Sequence, residues 1–532
     1  MSAKIETPSG HAIPPAPRHS ITVHLPKWSS VLRFVERDPT LMATFKSMYP
    51  RMMIHRDIKM LTQKICEFVG AEGQACLLFP SPKSALECVS FATSASHGDD
   101  AMSTDEISIS TFVIKNHICA VFFPAPKAMF MQAFWSNAGV GISSRFAEDN
   151  LKHVELLRKL SPNDPLPMVQ ESSAQSILRK RIAGLLERAP AGPPRQAKVA
   201  EGDVYLFQSG MAAIYRVHQY LLNEHNASTV LFGFAFHSTL HVFEDFGPGY
   251  KLLGLGTPEE LDQLEAHLKE KAIEGKQVQA VWAEYPSNPL LITPDLGRLR
   301  KLADEYHFVL IIDDTIGSFC NVDVLGAADI VVTSLTKTFS GYADVLAASA
   351  VLNPSSKIYP RLKSMFQKFY SNDFYNGDAE ALEQNSRDYL SRSTILNKNA
   401  LRLVEYFQAQ AADPESSVVR VYYPTIGWSA PNYKERMRPA TEEFTPGYGC
   451  LFCVEFDTVE AIAAFYDNLN VHLGPHLGAH LTLAIPYVKI LYGKELDWAA
   501  KYDLRETQIR ISTGLEDTEL LLEDFKVAVR AA

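Results

Sequence analysis

A chain of 532 residues, 46% hydrophobic and 21% charged, carries enough apolar material for two to four packed domains, or one large α/β body with additions. Its 51 basic against 61 acidic residues argue against a broad nucleic-acid footprint, and no apolar run approaches the roughly 18 residues that suggest a membrane-spanning helix. Seven scattered cysteines read as thiols, and a proline-rich start without an apolar stretch does not resemble a secretory signal, so a cytoplasmic setting is expected.

Residues 1–30, rich in Pro, Ser and His, are expected to form an irregular arm lying on another surface. Residues 31–70 read as helical, with Ile58, Leu61, Ile65, Phe68 and Val69 at helical spacing. From Cys76 to about Arg188 strand-like and helix-like pieces alternate, as at 118–123 and 150–160. SPNDPLP (161–167) and PAGPPRQ (190–196) punctuate this stretch, and the second reads as a boundary.

Between 201 and 350 short apolar runs rich in β-branched and aromatic residues recur: VYLF (204–207), STVLFGF (228–234), QAVWAEY (279–285), HFVLIID (307–313) and ADIVVTS (328–334). Helical stretches separate several of them, one opening at Thr257 with a capping-box pattern and one near Asp295. Continuous apolar strands alternating with helices predict a mostly parallel sheet covered on both faces, with ligands at the carboxyl ends of its strands. Beyond about 375 the pattern changes to a long helical stretch, the strand-like GYGCLFCVEF (447–456) and TQIRIS (507–512), and a helical tail from about Asp517. This predicts a smaller C-terminal α+β domain.

Lys337, in SLTKTFSG (334–341), follows an apolar strand and sits among hydroxyls. Desolvated there, its amine would be neutral and able to form a Schiff base, and the hydroxyls could bind phosphate; a solvated lysine in a Ser/Thr loop is an equal reading of these residues alone. Asp313 closes a buried strand and points toward the same cleft, while strand alternation sends Asp314 the other way. QSGMAAIYR (208–216) is a turn running into a helix, whose Gly210 and Met211 N–H groups could hold an anion. Other motifs rank lower. Cys450 and Cys453 lie on a strand-like run without further zinc ligands, His237 and His241 read as core or capping histidines, and GVGISS (139–144) lacks the strand and acid of a dinucleotide turn; no metal site is expected.

In order along the chain, HAIPP (11–15), MYPRMMIH (48–55), AEYPSNPLL (283–291), IIDDT (311–315), GAADIVVTSLTK (326–337) and QIRISTGLED (508–517) resemble the Cys/Met-metabolism family of pyridoxal-phosphate enzymes, specifically its fungal cystathionine γ-synthase type. The resemblance implies fold type I, aspartate aminotransferase-like, and pyridoxal 5'-phosphate as cofactor. It implies an arm and helix at 1–70 serving a neighbouring subunit, an insertion at 71–200, a cofactor-binding large domain at 201–375 and a C-terminal domain at 376–532. By the same resemblance Lys337 would carry the cofactor and shuttle protons, and Asp313 would pair with the pyridine nitrogen. Gly210, Met211, Ser334 and Thr336 would hold the phosphate, and Asn288 would lie near the ring hydroxyl. Tyr49 and Arg51 would reach a neighbouring subunit's phosphate, giving a homodimer or homotetramer with shared sites. Arg510 would clamp the substrate α-carboxylate.

Two positions depart from the family pattern. Phe236 stands where a stacking tyrosine is usual, which keeps an apolar face but removes a phenol, and His476 replaces a serine near the substrate carboxylate. The resemblance implies γ-replacement on an O-acyl-L-homoserine, O-acetyl being the expected ester, through a vinylglycine ketimine, with cysteine or a carbon nucleophile as acceptor. A cystathionine lyase or γ-eliminating enzyme is an alternative. An inactive paralogue acting as a binding subunit is another, disfavoured because Lys337 and Asp313 are both present.

Overall fold

The computed structural model describes residues 3–161, 164–167, 170–193 and 195–532; Pro162, Asn163 and Pro194, in the two proline-rich breaks, lie outside them. Each of the five apolar runs at 201–350 forms a strand of one seven-stranded sheet. Its order is Val204–Phe207, Ala348–Leu352, Ile330–Ser334, Val309–Asp313, Ala280–Glu284, Thr229–Phe232, Tyr250–Leu253. All neighbours run parallel except Ala348–Leu352, which is antiparallel to both of its neighbours. Alternate residues sort to opposite faces: Val309 and Ile311 enter one core, Leu310 and Ile312 the other. Burial on both faces is why these strands read as unbroken apolar runs, and truncating one such side chain to alanine costs about 2–5 kcal/mol. The covering helices begin where the caps predict. Thr257 accepts the Glu260 N–H ahead of Pro258–Ile273, and Asp295 accepts the Arg298 N–H ahead of Leu296–Tyr306.

The segment from 74 to 159 builds a four-stranded antiparallel sheet, in the order Gln74–Phe79, His117–Pro124, Ser108–Val113, Arg158–Lys159. It shares one core with the large domain, where Phe79 and Phe134 meet Ile214 and Tyr215. The helix Ser173–Glu187 instead packs in the core on the other face of the large sheet. The region 71–200 is therefore split between the two faces. The helix-like reading of 150–160 is corrected: a helix ends at Leu151, and a short 3-10 turn and the edge strand Arg158–Lys159 follow.

The reading of 31–70 as helical resolves into Trp28–Val35, Pro39–Met42 and Arg56–Val69. Ile58, Leu61 and Ile65 are buried as their spacing predicts, but Phe68 is exposed. The non-helical break between the last two helices holds Tyr49 and Arg51. The C-terminal domain is a five-stranded sheet, in the order Val418–Tyr422, Leu451–Phe456, Gln508–Ser512, Leu483–Ile485, His472–Leu473. Helices Tyr389–Ala411, Val459–Asn468 and Thr518–Ala531 bury Leu403, Phe465 and Phe525 against it, and Asp517 caps the last helix. No helix of the described residues is long and apolar enough to cross a membrane.

Candidate active site

A cleft opens where the parallel strands end. Lys337, Asp313, Gly210, Met211, Phe236, Asn288, Ser334, Tyr49, Arg51 and Arg510 all line it. Strand alternation separates the two aspartates as predicted. Asp313 faces the cleft, where burial lifts its pKa to about 6 although it accepts the Thr315 N–H at 2.9 Å. Asp314 turns inward to accept the Thr333 hydroxyl, and burial pushes it up to about 7.

Lys337 sits three residues beyond the strand end Ser334 and donates to the Tyr49 hydroxyl at 3.2 Å. Burial pulls the lysine below its ordinary pKa, and the phenol opposes that pull. Burial by itself would raise Tyr49, but the charges of Lys337 and Arg51 outweigh it and lower the phenol's pKa. These two groups form an amine–phenol pair able to hold and pass a proton.

At one end of the cleft the strand Val204–Phe207 turns into the helix Gly210–Glu224. Ser209 caps it by accepting the Ala212 N–H, and the Gly210 and Met211 N–H groups in the first turn have no intrahelical acceptor. A side chain at Gly210 would press on Ser334, with 3.1 Å from its Cβ to Oγ. Arg51 projects over this end, its guanidinium 4.4 Å from the centre of the Phe236 ring and hydrogen-bonded to Ser238. Its Nε is buried without a partner, and among the described residues no carboxylate reaches it within ion-pair distance. A buried arginine beside a helix N-terminus calls for an anion.

At the other end, Arg510 extends from the central strand of the C-terminal sheet, 4% exposed. It donates to Asn288 Oδ1 at 3.1 Å and lies 4.4 Å from the Tyr487 ring centre, while Asn288 donates to the Tyr487 hydroxyl at 3.1 Å. Among the described residues no carboxylate pairs with it, and its charge suits a ligand carboxylate.

Two expectations are corrected. Thr336 is not on the cleft wall: its hydroxyl exchanges hydrogen bonds with Ala347, donating at 3.2 Å and accepting at 3.0 Å, because it points back into the sheet. His476 stands behind the wall formed by its neighbours Pro475 and Leu477. Its ring lies 6.1 Å from that of Tyr49, and burial, with Lys337 and Arg510 nearby, holds its pKa well below the usual value, so it does not charge near neutrality. Tyr49 and Arg51 stand in the cleft that carries Lys337, brought there by the segment between the helices Pro39–Met42 and Arg56–Val69.

Several contributors escaped the sequence reading. Glu284 ends a buried strand in register with Asp313 and accepts the Phe236 N–H at 2.6 Å. Burial and the adjacent Asp313 push its pKa well above the usual carboxylate range, and the signal that singled out Asp313, an acid closing an apolar strand, was present there too. The loop at 139–144 also lines the cleft: Gly139 accepts from the Ser209 hydroxyl at 2.9 Å, and Val140 from the Gln208 amide at 3.2 Å. By contrast the strand–turn–helix at 74–92 imitates a phosphate turn, but its N-terminal Ser81 and Ser84 bind the carboxylate of Asp373 at 2.8 and 3.2 Å.

Residues 196–530 match the Cys/Met metabolism PLP-dependent enzyme family, and residues 57–143 match the N-terminal domain of fungal trans-sulfuration enzymes. The chain is 35% identical to the cystathionine gamma-synthase-like enzyme iboG1 of Amanita muscaria, over 99% of this chain and 98% of that protein. It is also 35% identical to the alanine racemase ungC of Aspergillus violaceofuscus, over 97% of this chain and 96% of that protein. Among solved structures, cystathionine gamma synthase from Xanthomonas oryzae pv. oryzae, in complex with aminoacrylate and cysteine, superposes with a TM-score of 0.53 at 20% identity, covering 68% of this chain and 86% of that one. The residues present fit pyridoxal phosphate. The orphaned Arg51 and the first turn of Gly210–Glu224 suit its phosphate, the Phe236 face its ring, Asp313 its pyridine nitrogen and Lys337 its aldehyde. The chain belongs to the Cys/Met-metabolism family of pyridoxal-phosphate-dependent enzymes, with a type I fold.

Proposed function

We propose that the enzyme catalyses γ-replacement on an O-acyl-L-homoserine, with the O-acetyl ester as donor and cysteine or a carbon nucleophile as acceptor. The observation that carries this reading is the Lys337–Tyr49 pair, 3.2 Å apart, in the same cleft as the unpaired Arg510. γ-Replacement needs protons removed from Cα and Cβ before the ester leaves and returned after the acceptor adds at Cγ. One lysine reaching all these positions, relayed by a neighbouring phenol, meets that demand. Arg510 holds the α-carboxylate, with Asn288 and Tyr487 keeping the guanidinium oriented. The Lys337 amine, its pKa lowered by burial, takes the Cα proton, and the Tyr49 hydroxyl holds its hydrogen bond as the amine changes charge. When bound, pyridoxal phosphate supplies the electron sink for the carbanions at Cα and Cβ. Trp135, Met52, Ile58 and Leu491 make the cleft walls apolar and limit water, which favours transfer to an acceptor over elimination.

Racemisation at Cα is a second reading, favoured by the likeness to an alanine racemase over nearly the whole chain. The same amine–phenol pair could remove and return that proton, without any γ leaving group. Incubation with O-acetyl-L-homoserine plus either cysteine or a β-keto acid, and separately with L-alanine, distinguishes the two. The expected result is a Cγ-substituted product by mass, with Lys337→Ala inactive. D-Alanine without any substituted product would overturn the γ-replacement reading.

A further inference from the structure

We propose that Cys66 and Cys76 are a redox-modification site, where peroxide oxidises the two thiols to an intrachain disulfide that fastens the helix Arg56–Val69 to the strand Gln74–Phe79. All seven cysteines of the chain are free thiols. Cys66 and Cys76 are ten residues apart in sequence, yet the helix and the strand fold back on one another and bring their sulfurs to 3.7 Å. The other thiols that make a hydrogen bond reach hydroxyls instead: Cys119 bonds Thr111, Cys320 bonds Ser318 and Cys450 bonds Ser512. The Cys66 and Cys76 sulfurs must close by roughly 1.6 Å to reach the about 2.05 Å of a disulfide. The turn between them can take up that movement. Gly70 and Gly73 hold it at φ +66° and +73°, and no atom lies within 4 Å of where a side chain would stand on either.

The two cysteines are unequal in the way such a reaction needs. Cys66 is half-buried and open to a small oxidant, while Cys76 is 6% exposed beneath it. The hydrogen bond with Cys76 lowers the Cys66 pKa, outweighing burial and the Glu67 carboxylate, which both raise it. Burial pushes the thiols of Cys88, Cys119, Cys320, Cys450 and Cys453 up, so Cys66 is the thiolate-forming member of the set. Its thiolate attacks one oxygen of hydrogen peroxide and the O–O bond breaks. The sulfur keeps that oxygen as a sulfenic acid, and the other leaves as hydroxide, which takes up the proton Cys66 had released. The Cys76 sulfur then attacks the Cys66 sulfur, the S–O bond breaks, and the oxygen leaves as water with the Cys76 proton. Two electrons pass from the sulfurs to one peroxide, which becomes two waters. Neither cysteine lines the cleft, but the elements they join both reach it: Ile58 from the helix, and Ile142, whose N–H donates at 3.2 Å to the strand carbonyl of Leu78.

The test uses the cofactor-loaded enzyme and stands whichever reaction the enzyme performs. Hydrogen peroxide is added at about one equivalent, free thiols are blocked, and the protein is digested without reductant. The expected result is a loss of about 2 Da and a peptide pair linked through Cys66 and Cys76 within one chain, with five of the seven thiols still titrating and the bond reversed by dithiothreitol. Amide exchange across the turn at 70–73 should slow in the oxidised enzyme. Cys66→Ser and Cys76→Ala should each abolish the linked pair, and Cys88→Ser should not. Wild-type mapping alone suffices to refute the proposal if a variant fails to fold. Oxidation of Cys66 to a sulfinic acid without a link, a link between two chains, or earlier oxidation of another cysteine would overturn it. Faster exchange at 70–73 would show that the bond pries helix and strand apart, and would overturn the fastening role.

Discussion

Arg510→Lys tests the carboxylate clamp while keeping the charge. In the structure one prong of the guanidinium donates to Asn288 at 3.1 Å and its plane rests 4.4 Å from the Tyr487 ring centre, leaving the rest of the fork for a ligand. An ammonium cannot serve Asn288 and both carboxylate oxygens in that plane. The variant forfeits one charge-assisted hydrogen bond, about 1.5–3 kcal/mol, and part of the cation–π contact, about 0.5–2 kcal/mol. Together these give about 2–5 kcal/mol, which at roughly 1.4 kcal/mol per tenfold is a fall of about 30- to 5,000-fold in kcat/KM. The assay is initial rate at substrate well below KM, for whichever amino acid the enzyme turns over, with the cofactor absorbance as a control that should not change. A loss below about threefold, with the cofactor band intact, would refute the assignment of Arg510 as the clamp.

Two further predictions concern the surroundings of the cofactor. Gly139 has a φ of +64°, and an added Cβ would lie 2.4 Å from Ser209 Oγ and 2.8 Å from Met211 Cβ, so Gly139→Ala should displace the phosphate turn at a cost of about 1–3 kcal/mol. Equilibrium titration with pyridoxal phosphate should show affinity reduced about 5- to 150-fold, and unchanged affinity would mean the 139–144 loop does not support the turn. Asp314, raised by burial to about 7, holds its proton in the folded chain where an unfolded aspartate, with a pKa of about 3.9, has lost it. Its contribution to stability therefore falls as pH rises from about 4 to about 7 and stays unfavourable above that. Asp314→Asn should raise Tm relative to wild type most above pH 7, with the gain vanishing below about pH 4; a gain that grows on acidification would contradict the assignment.

The large sheet was legible because its strands are buried on both faces, so each appears as an apolar run ended by a polar residue. That pattern also exposed Lys337 and Asp313, whose chemistry follows from standing at strand ends. Tyr250–Leu253 is a half-buried edge strand and Ala348–Leu352 a run of small residues, so neither produced a comparable signal. Motif order pointed to the family and to Tyr49, Arg51 and Arg510 as site residues. The direction of side chains and the path of the chain were decided only in three dimensions. Thr336 and Ser334 read alike in sequence, yet one turns into the sheet and the other into the cleft. His476 reads as a neighbour of the substrate carboxylate, yet it is buried behind Pro475 and Leu477. Tyr49 is 288 residues from Lys337, and nothing in the spacing of residues specifies that the two meet. That meeting rests on where the helix Arg56–Val69 buries its apolar face, a long-range packing contact with no local signature.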